Sequence, residues 1–239
     1  MDDVKGNKER NSSTPQSGAI LKVIGIFLIG SVLIGFTFQF ASITQDQREK
    51  IRELERSLYE LRAAMNVDSV RQYNIQKVIS IINRYNPGMP SDLKYSIANE
   101  IYEMSVKYDN LDVDLLCATI THESNRTWDP KVVSRAGAMG LMQIMPATGM
   151  YVSQLEGITW TSPEEVLFNP IYNIRIGARY LSTMISIYDI DGGLAAYNGG
   201  ERIASLWIKN DRDDDVLWDE TKKYIPSVLK LYEEYQNMN

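Results

Sequence analysis

"DVDLLCATITHES", Asp112–Ser124, is the stretch on which the fold class turns. After its acidic opening it becomes almost wholly apolar and then ends on a carboxylate, Glu123. It reads as an apolar, central helix capped by Asp112 or Asp114. The neighbouring segments repeat the pattern. "PSDLKYSIANEIYEMSVKY" (Pro90–Tyr108) opens with a Pro-Ser-Asp start signal and places Leu93, Ile97, Ile101 and Met104 at the spacing of a half-buried helix. "NIRIGARYLSTMISIYD" (Asn173–Asp189) and "ETKKYIPSVLKLYEEYQ" (Glu220–Gln236) behave alike, and no alternating run bounded by hairpin turns interrupts them. The expectation is an all-α domain.

A glutamate at the C-terminal end of an apolar helix is an unfavourable anion, because the helix dipole and the low polarity around it both oppose the charge. Glu123 is therefore expected to have a raised pKa and to be able to give a proton to a leaving-group oxygen, as cleavage of a glycosidic bond demands. On the helix alone, a plain surface glutamate at a helix end is the commoner reading, since strongly perturbed groups are the minority. His122, the single histidine, points about 100° away around the helix from Glu123, so it is read as a packed or surface residue. With no second ligand nearby, no metal is implied, and no cofactor is called for.

Composition bounds the rest. The chain has 239 residues, 44% hydrophobic and 23% charged, enough for one substantial core. A net charge of -6 carries no basic footprint for phosphate backbones, so nucleic acid is not an expected partner. The one cysteine, Cys117, cannot form an internal disulfide and reads as a small buried hydrophobe.

Ahead of the domain lie three segments. Residues 1–18 are polar, without apolar periodicity, and are expected to be disordered. Residues 19–41, "AILKVIGIFLIGSVLIGFTFQFA", match the ~20 apolar residues that cross a bilayer, and the run is too long for the ~7–15 of a cleaved signal peptide. One transmembrane helix is expected. The flanking charges do not orient it, since Lys5, Lys8, Arg10 and Lys22 are matched by Arg48, Lys50, Arg52 and Arg56. Residues 42–86 form a helical stalk in this reading. Within it, Ile51, Leu54, Leu58, Leu61 and Met65 alternate spacings of three and four until Asp68 breaks the seam, which either self-associates as a short coiled coil or packs on the domain. The globular domain then occupies residues 87–239, after the breaker Asn86-Pro87-Gly88.

Motifs downstream of Glu123 narrow the chemistry. Glu123-Ser124 is followed by Ser134, by "GAMGLMQIMP" (Gly137–Pro146), by "FNPIYNIRIGARYL" (Phe168–Leu181), by "AAYNGG" (Ala195–Gly200) and by "ETKKYIPSVL" (Glu220–Leu229). This ordered set, over about Leu93–Leu231, resembles the soluble-type lytic transglycosylases, relatives of goose-type lysozyme. Two positions depart from the usual pattern. The link "ESNRTWDP" is two residues longer than the common form, with Trp128 in place of its aromatic, and Gly199-Gly200 stands where Ala-Gly is usual.

The resemblance implies a lysozyme-like fold and a peptidoglycan substrate. It also implies Glu123 as the catalytic residue and Ser134, Met142, Gln143, Tyr197, Asn198 and Tyr224 as substrate-binding residues. Amides and hydroxyls suit sugar hydroxyl and acetamido groups, tyrosine rings offer stacking faces, and Met139, Met142 and Met145 suit irregular gaps. No second carboxylate occupies a matched position; Asp129 belongs to the loop and Asp211–Asp215 reads as a solvated turn. The implied reaction therefore uses Glu123 first as acid and then as base, closing a 1,6-anhydro ring on the muramyl sugar without water. A lysozyme-like hydrolase, or a wall-binding scaffold without turnover, are the alternatives. A wall substrate places the domain in the periplasm or at the cell wall, anchored in the inner membrane, with a homo-oligomer through the stalk as a further option.

Overall fold

A computed structural model describes residues 16–238, and it divides into two compact units, residues 1–65 and 66–239. The expected polar tail lies, up to Pro15, outside the described residues. Helix α1 (Gln16–Tyr85) runs through both units, and its parts differ in character. In the first unit its apolar residues from Val23 to Phe40 are exposed, and this is one helix long and apolar enough to cross a membrane, with a mean hydropathy of 2.2 over its best window. Ile51, Leu54, Leu58, Leu61 and Met65 are exposed as well.

The second unit is all-α among the described residues, with helices α2 (Ser91–Lys107), α3 (Val113–Glu123), α4 (Pro146–Leu155), α5 (Pro163–Leu167), α6 (Pro170–Gly199), α7 (Glu201–Lys209) and α8 (Asp219–Gln236). It also takes in the last turns of α1. Ile75, Val78, Ile81 and Ile82 are each at most 1% exposed in its core, so the domain does not start at residue 87 as the Asn-Pro-Gly breaker suggested. The breaker ends the helix after Tyr85, but the apolar face just before it belongs to the domain.

Local chemistry sets the helix ends. Asp112 caps α3, its Oδ1 accepting from the Leu115 amide at 2.7 Å, which settles the choice between Asp112 and Asp114. Asn169 caps α6 through the amides of Ile171 and Tyr172, with Pro170 at the first helical position. Asp189, at φ 63, kinks α6, and its Oδ1 accepts from the Gly192 amide at 3.0 Å, restarting the helix as a cap.

Helix α3 is central: Val113 and Leu115–Thr121 are buried, and it packs on α8 and α2. Helix α6 lies against α2, α4, α7 and α8. The buried Glu100 of α2 is paired by the Arg175 guanidinium of α6 at 2.6 and 3.0 Å, a forked contact that fixes the two helices at one height. The end of α3, where Glu123 sits, is thus held from several sides.

Candidate active site

Glu123 is the last residue of α3, and its half-buried side chain reaches the aromatic surface offered by α8 and α6. Burial pushes its carboxyl pKa up to about 8, the Tyr224 hydroxyl pulls it down, and the charge of Glu220 pushes it up again. Near neutral pH the group is a carboxylic acid. Its field in turn holds the hydroxyls of Tyr197 and Tyr224, both already desolvated, further above their ordinary values.

Tyr224 is 1% exposed, and its hydroxyl is buried with no hydrogen-bond partner within ordinary distance, although it faces the carboxyl closely enough to shift it. His122 packs edge-on against the Tyr224 ring, with centroids 4.8 Å apart and planes at 80°. Burial and the nearby Arg126 lower the imidazole pKa.

The Gly-Met-Gln turn is clamped to α6 by one buried amide. Asn173 accepts from the Met142 amide at 2.8 Å and donates to the carbonyls of Met139 at 2.9 Å and Leu167 at 3.0 Å. Gly140 sits at φ +78, and a Cβ there would lie 2.3 Å from both Asn173 Nδ2 and the Leu167 carbonyl oxygen, so this position excludes any side chain. Gln143 follows at φ 48 and donates to the Gly140 carbonyl at 2.8 Å, which holds its own amide in place. The turn presents one wall of a cleft of about 310 Å³, whose lining includes Gln143, Met145, Tyr180, Tyr197 and Asn198. The Tyr197 hydroxyl donates to the Met142 carbonyl at 2.8 Å, and Asn198 Oδ1 accepts from Thr221 at 2.7 Å, tying the cleft to α8.

The residues expected to bind substrate therefore separate into groups. Gln143, Tyr197 and Asn198 come together in the cleft. Met142 does not line it: its side chain is fully buried, packed where Gly177 of α6 leaves room for the sulfur, and only its backbone serves the site. Met145, 44% exposed, is the methionine in the cleft wall. Tyr224 is a buried neighbour of the acid and lies outside the cleft lining. Ser134 is exposed and uses its hydroxyl to accept from the Ala138 amide at 3.0 Å, closing its own turn.

Two features escaped the sequence reading. Glu220 is a second carboxylate felt at Glu123; it stands four residues before Tyr224 on α8, hence on the same face, and that spacing was the available signal. Trp128, in the longer loop, is fully buried at φ 49, its indole N–H donating to Thr121 at 3.0 Å and its amide to Ser124 at 3.1 Å. Asn125 and Arg126 also have positive φ, so the loop after the acid is strained and pinned by the indole.

The helical domain ends its central helix on a glutamate near an amide- and tyrosine-lined cleft, a lysozyme-like arrangement. Residues 100–216 match the family described as the transglycosylase SLT domain. Over 118 residues it is 33% identical to the soluble lytic murein transglycosylase of Escherichia coli K12, covering 45% of this chain and 18% of that protein. The membrane-bound lytic murein transglycosylase C of Histophilus somni is 33% identical over 114 residues, covering 43% and 31%. Among solved structures, the 70 kDa soluble lytic transglycosylase of Escherichia coli superposes with a TM-score of 0.52 at 26% identity, over 60% of this chain and 26% of that one. An inactive glutamate-to-glutamine mutant of the Pseudomonas aeruginosa enzyme Slt gives 0.50 at 30% identity, over 57% and 23%. The chain thus spans less than half the length of these relatives.

Proposed function

We propose that this protein is a membrane-anchored lytic transglycosylase, which cleaves peptidoglycan between N-acetylmuramic acid and N-acetylglucosamine and leaves 1,6-anhydro ends. The observation that carries the reading is the carboxyl of Glu123, its pKa raised to about 8 by burial, near a cleft lined by amide and tyrosine side chains. In the first half of the reaction Glu123 gives its proton to the bridging oxygen as the bond from that oxygen to the muramyl C1 breaks. The positive charge left on the ring is oxocarbenium-like, and neighbouring carbonyl oxygens, with the substrate's own acetamido oxygen, stabilise it. In the second half the Glu123 carboxylate takes the proton of the muramyl C6 hydroxyl as that oxygen bonds to C1. The acid is restored and no water is consumed.

Glu220 supplies charge that keeps Glu123 protonated; it is an exposed residue in the first turn of α8 and is not assigned a bond-making role. The relative inactivated by a glutamate-to-glutamine change supports one indispensable carboxyl. The apolar stretch over residues 19–41, exposed from Val23 to Phe40, acts as a membrane anchor, and residues 66–239 work on the periplasmic or wall side, where the polymer is. A net charge of -6 offers no capture of an acidic polymer, so confinement by the anchor replaces electrostatic steering.

Mass spectrometry of sacculi digested by the protein tests this. Anhydro ends are expected from the parent protein and none from Glu123→Gln. Reducing ends would reassign it to the hydrolases, and digestion by neither protein, with wall binding intact, would leave a scaffold.

A further inference from the structure

From the exposed seam of the first unit we infer a second copy of this chain as its occupant: residues Ile51–Met65 pair in parallel, in register, as a short two-stranded coil. This rests on the membrane-anchor reading for its orientation and on nothing in the catalytic chemistry.

The seam alternates three- and four-residue steps through Ile51, Leu54, Leu58, Leu61 and Met65, which places them at successive a and d positions. Their exposures run from 54 to 64%, so nothing among the described residues covers them. A few turns later the same helix does find cover, since Ile75, Val78, Ile81 and Ile82 are buried in the second unit. The contrast separates the seam from the domain's own core.

Charge complementarity then selects the partner. With Ile51 at a, Lys50 falls at g and Glu55 at the e position that faces it across a parallel, in-register pair, so each interface carries the opposite charges twice by symmetry. The next such pair, Ser57 with Arg62, is free of repulsion. Lys50 already contacts Asp46 at 2.8 Å within the helix, but both are mostly exposed and the ammonium can turn between acceptors. Arg56 and Glu60 pair with each other at 3.0 Å and lie away from the seam. Ile at a with Leu at d in the first heptad favours two strands over three. The span over residues 19–41 enters the bilayer from the same side in every copy, which enforces parallel alignment and raises the local concentration that so short a coil requires.

Cysteine cross-linking in the full-length chain in membranes tests it, because the native Cys117 is fully buried and does not compete. Under copper-phenanthroline oxidation, Leu54→Cys and Leu61→Cys are expected to give disulfide-linked dimers several-fold in excess of Arg56→Cys on the outer face. Lys50→Glu in the Leu61→Cys background lowers the yield, and adding Glu55→Lys restores it. Equal yields from seam and outer face mean collision alone and overturn the proposal, as does absence of dimer at the seam, which would leave it lying on lipid. Indifference to the charge exchange overturns the register. None of these readouts depends on lytic activity.

Discussion

At the scale of single residues, the behaviour of Glu123 follows from what surrounds it. Its folded-state pKa of about 8 stands above the ordinary 4.5, so the native state holds a proton that the unfolded chain releases. The contribution of this group to stability is fullest below 4.5 and is lost as pH rises toward about 8, a slope that Glu123→Gln should flatten because an amide cannot ionise. The alkaline limb of the pH-rate profile belongs to the same group. Since the Tyr224 hydroxyl lowers that pKa, Tyr224→Phe is expected to move the limb to higher pH, and because the hydroxyl it removes is buried without a partner, thermal unfolding should lose little or nothing. An unmoved limb would dissociate Tyr224 from the acid. The raised pKa was legible from position alone, a carboxylate ending an apolar helix. The buried states of Met142 and Tyr224 were not, because a motif gives the order of residues and leaves open whether side chain or backbone faces the cleft.

At the scale of elements, the site depends on a turn that has no regular structure of its own. Asn173 supplies its fastening, and in Asn173→Ala the Met142 amide and the Leu167 carbonyl lose this partner in a buried place, while the Met139 carbonyl keeps only the Ile144 amide. At roughly 1–3 kcal/mol for each buried group left unsatisfied, the two groups together cost about 2 kcal/mol or more. Calorimetry should show it as a large fall in Tm, accompanied by a fall in kcat because the cleft wall made by Gln143 loosens. The helices themselves were largely readable. Asp112 is one of the two caps read from the sequence and stands where α3 begins, whereas Asn169 with Pro170 and Asp189, which start α6 and its kink, follow the same chemistry but were not anticipated. The fastening of the turn was hidden, because Asn173 lies far along the chain from Gly140 and such a contact has no local periodicity.

At the scale of the whole molecule, the boundary between units is the point on which sequence and structure part. The Asn-Pro-Gly breaker suggested residue 87, whereas Ile75, Val78, Ile81 and Ile82 belong to the core of residues 66–239. Each is worth about 1.5–3 kcal/mol of burial, and together they approach the ~5–15 kcal/mol net stability of an ordinary domain. Residues 66–239 expressed alone should therefore melt cooperatively, while residues 87–239 should show no cooperative transition by circular dichroism. A periodic apolar stripe announces that it will be covered without saying by what, which is why the stalk seam and these four residues looked alike. The measurement that reaches the central claim most directly is product analysis on sacculi with the full-length chain and its Glu123→Gln variant. The parent is predicted to release muropeptides with 1,6-anhydro ends and the variant none; reducing ends from the parent, or anhydro products from the variant at the parental rate, would contradict a single carboxyl acting as both acid and base.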